Sequence, residues 1–401
     1  MSNKPRILFV MHYLEIGGAE TALIGLLNAI DYSCYDVDLF LHSHQGEMMA
    51  FVPKEVNLLP EIPIYAQIER PIKNVLKDGY VRIVAARLKA KMRARRYINK
   101  HHVVKETTSI MQYTAAAVIP LLPTINPSVE YDLAISFLHP HNIVRDKVRA
   151  KKKACWIHTD YSAVDVIAED ELPIWSAFDH VVSISDDVTK SFLQAFPTLE
   201  NKIVLMENML SPTFVRQRAE EFDALPELPK ESLNLLSVGR FSKAKNYDNL
   251  PDICRRMFET GDVDFRWFII GYGSDEQLIR SKIAEAGMED RIIILGKRSN
   301  PYPYIKACDI YVQPSRYEGK SVTVREAQML YKPVVVTNYP TASSQIMDGQ
   351  DGVIVPMDNQ GCAEGIINLI RDKAKREKII EYLKTHDYGN ETEVEKLYEM
   401  L

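Results

Sequence analysis

The chain alternates between short, continuous apolar runs and longer segments whose apolar residues recur every three or four positions. Arg6–Met11 is the first apolar run, and residues 19–30 after it have helical spacing. Uninterrupted apolar strands are typical of parallel sheets covered on both faces by helices. In the first half the pattern predicts further strands at 38–41, 133–137, 154–157 and 181–184, and a helix at 186–196.

A second strand–helix series begins after a polar, proline-containing stretch between residues 207 and 232. Its predicted strands lie at 234–238, 267–271, 291–295, 309–312, 333–336 and 352–355. The prediction is an α/β fold of two Rossmann-like, doubly wound parallel-sheet domains that face a central ligand cleft. We place the domains at 1–207 and 208–387, and expect a helix at about 388–401 to pack back on the first domain.

The composition indicates a globular protein of the cytoplasm. Hydrophobic residues make up 46% of the 401 residues, which excludes a disordered or collagen-like chain. No apolar run approaches the ~18 residues of a membrane span, and the apolar stretch at the start ends at His12, too early for a secretory signal. The five cysteines have no CxxC spacing, so we expect reduced thiols.

Positive charge is concentrated in one segment, although the net charge is −5. Residues 70–105 contain twelve Lys and Arg residues and one acidic residue. The acidic remainder argues against a nucleic-acid partner, so we expect this segment to bind an anionic membrane surface. Within it, 81–100 is predicted as a helix with an apolar stripe of Val81, Val84, Leu88 and Met92. The alternative is a solvated basic helix whose stripe packs on the first domain.

The segment 315–327 carries the densest set of candidate binding residues. It follows a predicted strand and opens a helix near Ser321, where backbone N–H groups favour an anion. Glu318 precedes this helix and Glu326 lies inside it, eight residues or a little over two turns after Glu318, where a carboxylate can accept both hydroxyls of a ribose. The alternative is an ordinary pair of exposed glutamates.

Two cations follow the first strand of the second domain. Arg240 and Lys245 lie in the loop after this strand, at the sheet edge where ligands of doubly wound folds bind. A guanidinium and an ammonium group at this spacing suit a diphosphate. The alternative is that both are exposed surface charges that bind no ligand.

Four further residues lie at predicted carboxyl ends of strands. Gly17 and Gly18 precede a helix and allow a ligand close to the backbone, and Gly271 follows a strand without completing a dinucleotide motif. His158 ends a first-domain strand, so it is a candidate binding residue as well as a structural one. We expect no metal site, because the acidic pairs 36/38 and 262/264 fall where strands begin and the histidines at 139 and 141 lack a third ligand.

These motifs together resemble the family-4, or group 1, glycosyltransferases of the GT-B fold. The resemblance rests on GRFSKAKN at 239–246, IIGYGSDEQL at 269–278, and the spacing of Glu318 and Glu326, with GGAE at 17–20 and His158 in support. It implies a retaining, metal-independent transfer from a nucleotide-sugar, expected to be UDP-linked, to a saccharide or lipid-linked saccharide in surface polysaccharide biosynthesis. No cofactor beyond the donor is expected, and the protein is expected at the inner face of the membrane.

The resemblance also implies a role for each matched residue. Arg240 and Lys245 would hold the donor diphosphate, Glu326 the ribose, Glu318 the transferred sugar and His158 a sugar hydroxyl. The remaining donor-binding residues would be Gly17, Gly18, Gly271, Gly319, Lys320, Ser321 and Val322. The leaving phosphate would accept the acceptor's proton on the same face, which retains the anomeric configuration.

One departure from the family pattern affects the donor. The usual E-G-F-G-L is here Glu318–Gly319–Lys320–Ser321–Val322, which lacks the second glycine and gains a cation. Donor identity therefore does not carry over from better-known relatives. The alternatives to a transferase are a GT-B-fold sugar-nucleotide epimerase, which has no use for the basic segment, and a non-catalytic saccharide-binding module.

Overall fold

The structure, a computed structural model, describes residues 4–15, 17–103, 106–159, 161, 164–228, 231–261, 263–318 and 321–401. The chain divides into two compact units. Unit 1 comprises the residues up to Met209 together with Asn390–Leu401, and unit 2 comprises Leu210–Gly389. The two boundaries predicted from the sequence, 207/208 and 387/388, each lie two residues before those of the structure.

Unit 1 is built on a parallel sheet of seven strands. Its strands, with two short ones outside the main sheet, are β1 (Arg6–Met11), β2 (Asp36–Leu41), β3 (Asn57–Leu58), β4 (Glu106–Thr107), β5 (Tyr131–Ser136), β6 (Ala150–Ile157), β7 (Val164–Asp165), β8 (His180–Ser183) and β9 (Ile203–Leu205). The order in the sheet is β3-β2-β1-β5-β6-β8-β9, and β4 pairs with β7 separately. Every neighbouring pair is parallel, as the continuous apolar runs predicted.

Helices of unit 1 cover this sheet. They are α1 (Gly18–Ala29), α2 (Ile72–Lys77), α3 (Val81–His101), α4 (Ser109–Val118), α5 (Asn142–Lys147), α6 (Ala168–Trp175) and α7 (Asp186–Ala195). One large apolar cluster joins the strands to α3, α4 and α7, with Phe40, Tyr131, Trp175 and Phe192 fully buried in it.

Unit 2 repeats the architecture with six parallel strands. These are β10 (Leu233–Val238), β11 (Phe265–Ile270), β12 (Ile292–Gly296), β13 (Ile310–Gln313), β14 (Val334–Thr337) and β15 (Val353–Val355), in the order β12-β11-β10-β13-β14-β15. Its helices are α8 (Pro212–Ala219), α9 (Leu250–Glu259), α10 (Glu276–Ala286), α11 (Tyr302–Ala307), α12 (Val322–Met329), α13 (Ala342–Gln345), α14 (Asn359–Arg371) and α15 (Lys373–Lys384). Every strand predicted from the sequence, in either half of the chain, overlaps a strand of the structure.

Within unit 1, the segment Asn390–Leu401 packs on the residues before Leu210 through the helix α16 (Glu395–Tyr398) and the turn before it. The Tyr398 hydroxyl accepts a hydrogen bond from the Asp31 backbone N–H at 2.9 Å, and its ring stacks on Tyr35 with the centroids 4.3 Å apart. The Glu207 backbone N–H donates to Glu393 at 2.9 Å. Main-chain and aromatic contacts thus hold this segment on unit 1.

The basic helix α3 has the predicted position, but its apolar stripe is divided between two faces. Val84 is buried in the unit 1 core beside Ile83, whereas Val81, Leu88 and Met92 are 60%, 46% and 55% exposed. The single stripe predicted from the sequence was therefore wrong for Val84. Ile83, Ala90 and Ala94 mark the face of α3 that is buried, and at 100° per residue Val84 lies at the edge of that face, between it and the outward one. Among the described helices, none is both long and apolar enough to cross a membrane.

Candidate functional site

The strand order of unit 2 reverses between β10 and β13, which are neighbours at the middle of the sheet. In doubly wound folds ligands bind outside the carboxyl ends of the strands at this switch point. The loop after β10 carries Arg240 and Lys245, and the loop after β13 carries Glu318. The fold therefore brings the two predicted loops to one place.

Lys245 and Glu318 form an ion pair across the switch point. The Lys245 Nζ lies 2.6 Å from Glu318 Oε1, and the two side chains are only 21% and 11% exposed. Ser315 Oγ and Gln313 Nε2 donate to the same oxygen at 2.6 and 3.0 Å. Three donors thus fix one carboxylate oxygen, which holds the Glu318 side chain in place before any ligand arrives.

A second pair of residues, which the sequence did not reveal, joins the same two loops. Arg316 binds Asp248 in a bidentate manner at 2.7 and 2.9 Å, and its Nη1 also donates to the Lys243 carbonyl at 2.7 Å. Hydrogen bonding to this guanidinium lowers the pKa of Asp248 below its usual value. The only available signal was the position of Arg316, two residues before Glu318.

Glycines allow the loops after β10 and β11 to touch. A Cβ on Gly271 would lie 1.9 Å from the Gly239 carbonyl oxygen, and one on Gly273 would lie 2.3 Å from that of Phe241. The Phe241 N–H donates to the Tyr272 carbonyl at 2.8 Å, and the Gly271 N–H donates to that of Gly296 at 3.0 Å. Gly271 therefore has a packing reason to be a glycine, and its N–H is already bonded.

The beginning of α12 differs from the expected free anion site in one respect. The Ser321 N–H donates to Gln345 Oε1 at 3.1 Å, and Gln345 Nε2 donates back to the Ser321 carbonyl at 2.6 Å. The expectation that the Ser321 amide is available was therefore wrong, because a side chain 24 residues later occupies it. No described residue accepts from the N–H groups of Val322, Thr323 and Val324. The predicted residues Gly319 and Lys320 lie outside the described part of the chain.

Glu326 is buried inside unit 2, at 5% exposure. It accepts a hydrogen bond from the Tyr302 hydroxyl at 2.7 Å. Burial raises the pKa of Glu326 to about 7, although the bond from Tyr302 acts in the opposite direction. This carboxyl group thus changes its charge near neutral pH.

Arg240, in contrast, is exposed and makes no hydrogen bond or ion pair with a described residue. Its guanidinium group keeps all five N–H donors for a ligand. Of the predicted donor-site residues, the structure thus joins Lys245 and Glu318 directly and leaves Arg240 free on the same loop as Lys245.

The carboxyl edge of the unit 1 sheet is rich in histidine. His12 follows β1, His42 follows β2, His139 and His141 follow β5, and the predicted His158 follows β6. The strand order reverses between β1 and β5, so these rings surround the switch point of unit 1. Sequence reasoning named only His158 as a ligand-binding histidine and considered His139 and His141 only as metal ligands, although the same argument from strand ends applied to His12 and His42.

These imidazoles are held neutral. Burial lowers the pKa values of His12, His139 and His158 to about 4 and that of His42 to about 3. The His139 and His141 ring centroids are 4.0 Å apart, and His141 Nδ1 lies 2.8 Å from Ser136 Oγ. One buried nitrogen in each ring has no hydrogen-bond partner among the described residues, namely Nδ1 of His12, His42 and His139 and Nε2 of His141 and His158. A neutral imidazole has one donor and one acceptor nitrogen, so it can donate to a hydroxyl group or accept from one.

The two glycines before α1 differ in their surroundings. A Cβ on Gly17 would meet the Glu20 carboxylate at 2.2 Å, whereas the Gly18 position faces open space. Glu20 Oε1 lies 3.8 Å from His12 Nε2, and burial raises the pKa of Glu20. Gly18 is thus the one that leaves room beside the backbone.

One aspartate of each acidic pair at the strand starts is bonded to neighbouring residues. The Asp38 carboxylate accepts from Tyr131 at 2.7 Å and from Asn57 at 2.8 Å, and it pairs with Arg6. Asp264 pairs with Arg291 at 2.6 Å, and Asp262 lies outside the described residues. Within the described ranges, no group of three or more His, Cys, Asp or Glu side chains is arranged to hold a metal ion.

Known proteins with similar sequences are glycosyltransferases. Residues 218–386 match the family model described as "Glycosyl transferases group 1", which covers less than half of the chain. A Campylobacter jejuni N-acetylgalactosaminyltransferase is 26% identical over 49% of this chain and 52% of its own length. The Erwinia amylovora amylovoran biosynthesis glycosyltransferase AmsD is 22% identical over 53% of this chain and 59% of its own length. The chain spans about half the length of the curated relatives it matches.

Solved structures match over nearly the whole chain. Anabaena HepE in complex with UDP and glucose aligns with a TM-score of 0.61 at 14% identity, over 98% of both chains. Staphylococcus aureus TarM aligns with a TM-score of 0.63 at 11% identity, over 99% of both chains. With the two parallel sheets, these likenesses confirm the predicted fold class, the GT-B type with two Rossmann-like doubly wound domains.

Proposed function

We propose that this protein is a retaining, metal-independent glycosyltransferase. It transfers a sugar from a nucleotide-sugar donor, UDP-linked, to a lipid-linked saccharide acceptor in surface polysaccharide biosynthesis. The observation that carries the proposal is the Lys245–Glu318 ion pair at the switch point of unit 2, with Arg240 unpaired on the same loop. The matched group 1 family model covers this part of the chain.

The ion pair suits a site that must receive a diphosphate and a sugar together. While the site is empty, Lys245 and Glu318 neutralise each other. A donor diphosphate would draw Lys245 away, and Ser315 and Gln313 would still hold Glu318 Oε1. The other carboxylate oxygen then accepts hydroxyl groups of the donor sugar, and Glu326 accepts those of the ribose.

Negative charge on the leaving diphosphate grows as the anomeric C–O bond breaks. In the proposal Arg240, Lys245 and the N–H groups of Val322, Thr323 and Val324 stabilise this charge, more strongly in the transition state than before it. The leaving phosphate oxygen takes the proton of the attacking acceptor hydroxyl on the same face, so the anomeric configuration is retained. His158, neutral and with a free nitrogen, accepts or donates a hydrogen bond at a sugar hydroxyl.

The acceptor class is supported by relatives and by the surface of α3. The Campylobacter relative is named for a diphospho-undecaprenol-linked acceptor, and further relatives for lipopolysaccharide core biosynthesis. The outward face of α3 carries the exposed Val81, Leu88 and Met92. At 100° per residue, Arg82, Lys89, Arg96 and Lys100 flank this apolar strip on one side and Lys91 and Arg95 on the other.

A strip of apolar side chains between two rows of cations is typical of helices that lie in the membrane interface. The helix contains no acidic residue to oppose an anionic leaflet. We therefore propose that α3 and the rest of the segment 70–105 hold the protein peripherally on the cytoplasmic face of the cell membrane.

The proposed function is tested by donor screening followed by transfer. Thermal unfolding is measured with a panel of nucleoside diphosphates and UDP-sugars, since a ligand at 100 times its Kd stabilises by ~2.7 kcal/mol. The stabilising UDP-sugar is then incubated with lipid-linked saccharides, and product is detected by mass spectrometry. Release of a 2-epimer from the donor alone would instead support an epimerase, and stabilisation by saccharides without UDP would indicate a binding module.

A further inference from the structure

Unit 1 contains two cavities that meet at Glu69. The first, of about 450 Å³, lies among α2, α3, α4 and the loop after β5. The second, of about 200 Å³, lies beside the loops after β1 and β2. Glu69 lines both, and the first has the volume of a typical small-molecule site, roughly 300–1,000 Å³.

The first cavity has an apolar wall and a cationic rim. Ile68, Ile72, Met111 and Ala115 line it, and Ile110 beside them is 44% exposed. Because Ile110 lines the same cavity, the apolar wall forms one contiguous surface that reaches the outside, and contiguous apolar surfaces, unlike single exposed residues, mark binding sites. The wall suits a hydrocarbon chain that enters from outside.

The rim offers two cations that α3 projects on the same side. Lys91 makes no hydrogen bond or ion pair with a described residue. Arg87 is anchored through Nη1, which donates to the carbonyl oxygens of Gln67 and Arg70 at 2.9 and 2.5 Å. The remaining N–H groups of Arg87 are thus pre-oriented for an anion, and a fixed guanidinium with a nearby ammonium suits a phosphate ester.

Polar groups for an uncharged, hydroxyl-rich ligand occupy the other end. His139 lines the first cavity and His42 lines the second, and the buried Nδ1 atom of each ring has no hydrogen-bond partner among the described residues. Tyr13 and Gln45 add further hydrogen-bonding groups in the second cavity. Glu69, between the cavities, interacts with the charge of Arg87 and accepts a hydrogen bond from the Tyr13 hydroxyl, and its carboxylate has further lone pairs for ligand hydroxyls.

We infer that the two cavities form one site for an amphiphilic acceptor, a saccharide joined through a diphosphate to a hydrocarbon chain. The chain lies on the apolar wall, the diphosphate meets Arg87 and Lys91, and the saccharide extends past Glu69 into the second cavity. This inference rests on the proposed function and names its acceptor site. Lys91 borders both this cavity and the outward face of α3, so the same helix that rests on the membrane receives the lipid.

Binding of short soluble probes tests the first two parts. Calorimetry is performed with saturating UDP, which occupies the donor site, and the probes are farnesyl diphosphate, inorganic diphosphate and farnesol. Farnesyl diphosphate should bind at least about tenfold more tightly than either part alone, because it buries several methylene groups as well as its charge. Equal affinity for farnesyl and inorganic diphosphate, or no binding of farnesyl diphosphate, would overturn the inference.

Matched variants locate the probe. Lys91→Gln should weaken farnesyl diphosphate about tenfold or more, as expected for a lost charged hydrogen bond, whereas Lys73→Gln, an exposed cation on α2 that lines neither cavity, should not. Thr114→Trp, which fills the first cavity, should weaken farnesyl diphosphate and leave inorganic diphosphate unchanged. Equal losses in Lys91→Gln and Lys73→Gln would show that the probe binds elsewhere.

The saccharide end is tested with farnesyl diphosphate carrying one N-acetylhexosamine. The wild-type protein should prefer it to farnesyl diphosphate, and His42→Phe should remove the preference without weakening the sugar-free probe. A preference that survives His42→Phe would contradict the assignment of the second cavity. Thermal stabilisation by UDP distinguishes failure of the acceptor site from failure of the proposed function. If UDP binds and the lipid probes do not, the inferred acceptor site is wrong and the donor site stands. If UDP does not bind, the proposed function itself is contradicted.

Discussion

The Lys245 ammonium group and the Glu318 carboxylate are 73 residues apart in the chain and 2.6 Å apart in space. They meet because β10 and β13 are neighbours, so the loops at their carboxyl ends lie side by side. Breaking a pair this enclosed is costly unless another charge replaces the lost partner. In the proposed function the donor diphosphate is such a charge, so we expect the site to prefer a charged donor to a neutral sugar.

Removing either cation of the β10 loop should slow transfer more than it weakens the donor. We expect Arg240→Ala and Lys245→Ala each to lower kcat by roughly 10²–10³, because the phosphate charge they face grows in the transition state. Lys243→Ala is the matched control, since Lys243 is exposed on the same loop and only its backbone carbonyl is used. Steady-state kinetics in which kcat is unchanged for Arg240→Ala and Lys245→Ala would reject these roles.

The two glutamates should affect different halves of the donor. Glu326→Gln is expected to weaken both free UDP and the UDP-sugar, whereas Glu318→Gln should spare UDP and weaken only the UDP-sugar. Calorimetry with both ligands measures the four affinities. Equal losses for both ligands in both variants would mean that the roles are wrongly divided.

The raised pKa of Glu326 gives donor binding a pH dependence. In the proposed function the ionised carboxylate accepts from both ribose hydroxyls, so affinity for a UDP-sugar should rise as pH increases through about 7. Tyr302→Phe removes a hydrogen bond that lowers this pKa, so the rise should move to higher pH. The UDP-sugar is the ligand to use, since its diphosphate does not titrate in this range. A flat profile for the wild-type protein would contradict the ribose role of Glu326.

The neutral histidines of unit 1 should make it sensitive to acid. The folded-state pKa of His139, about 4, lies below the ~6.5 expected in the unfolded chain, so the unfolded state binds the extra proton between these values. The free energy of unfolding contributed by His139 is therefore present above pH 6.5 and lost as the pH falls toward 4.

His139→Gln isolates this contribution, because the other titrating groups remain. In urea titrations, the unfolding free energy of wild type minus that of the variant should fall by up to ~1.4 kcal/mol per pH unit between about pH 6 and 4.5. Tryptophan fluorescence reports the transition, since Trp175 lies against His139 with the ring centroids 5.4 Å apart. A difference that is constant with pH would reject the titration.

Membrane binding should depend on the outward face of α3 and on salt. The protein should bind phosphatidylglycerol vesicles at low ionic strength and be released at high salt, because attraction to an anionic leaflet fades within a Debye length of ~8 Å at physiological salt. Neutralising Arg82, Lys89 and Arg96 to Gln should weaken binding about fivefold per charge. These three make no hydrogen bond or ion pair with a described residue, unlike Arg93, which pairs with Asp170 and lies over the Tyr113 ring.

Two controls separate the effect of net charge from that of the outward face of α3. Neutralising three exposed lysines of α15 (Lys373, Lys378 and Lys384) changes the net charge equally and should leave vesicle binding intact. Leu88→Ser with Met92→Ser should reduce the binding that remains at intermediate salt. Salt-independent binding, or none, would reject the peripheral membrane role.

Much of the fold was predictable because a parallel strand covered on both faces leaves an apolar run with clear ends. The same pattern placed Arg240, Lys245, Glu318 and His158 at carboxyl strand ends. It could not reveal which side chains would pair within the site. The Ser321 amide is bonded by Gln345, and Glu326 by Tyr302, through contacts set by tertiary packing rather than by spacing.

Sequence periodicity also could not predict which apolar residues of α3 are exposed. Periodicity indicated an apolar stripe, but the neighbouring α4 determined which of its members became buried. Val84 lies only 60° around the helix from Val81, at 100° per residue, yet one packs in the core and the other faces outward.

Because Asn390–Leu401 belongs to unit 1, unit 2 is in topological terms an insertion within it. A ribosome delivers the whole of Leu210–Gly389 before the segment that carries Tyr398, so unit 2 has its full sequence while unit 1 still lacks the contacts with Asp31 and Tyr35. Proteolytic removal of the segment from Asn390 onward should accordingly destabilise unit 1, although most of unit 1 is far from the cut in sequence. Unit 2, which ends next to the cut, should keep its stability.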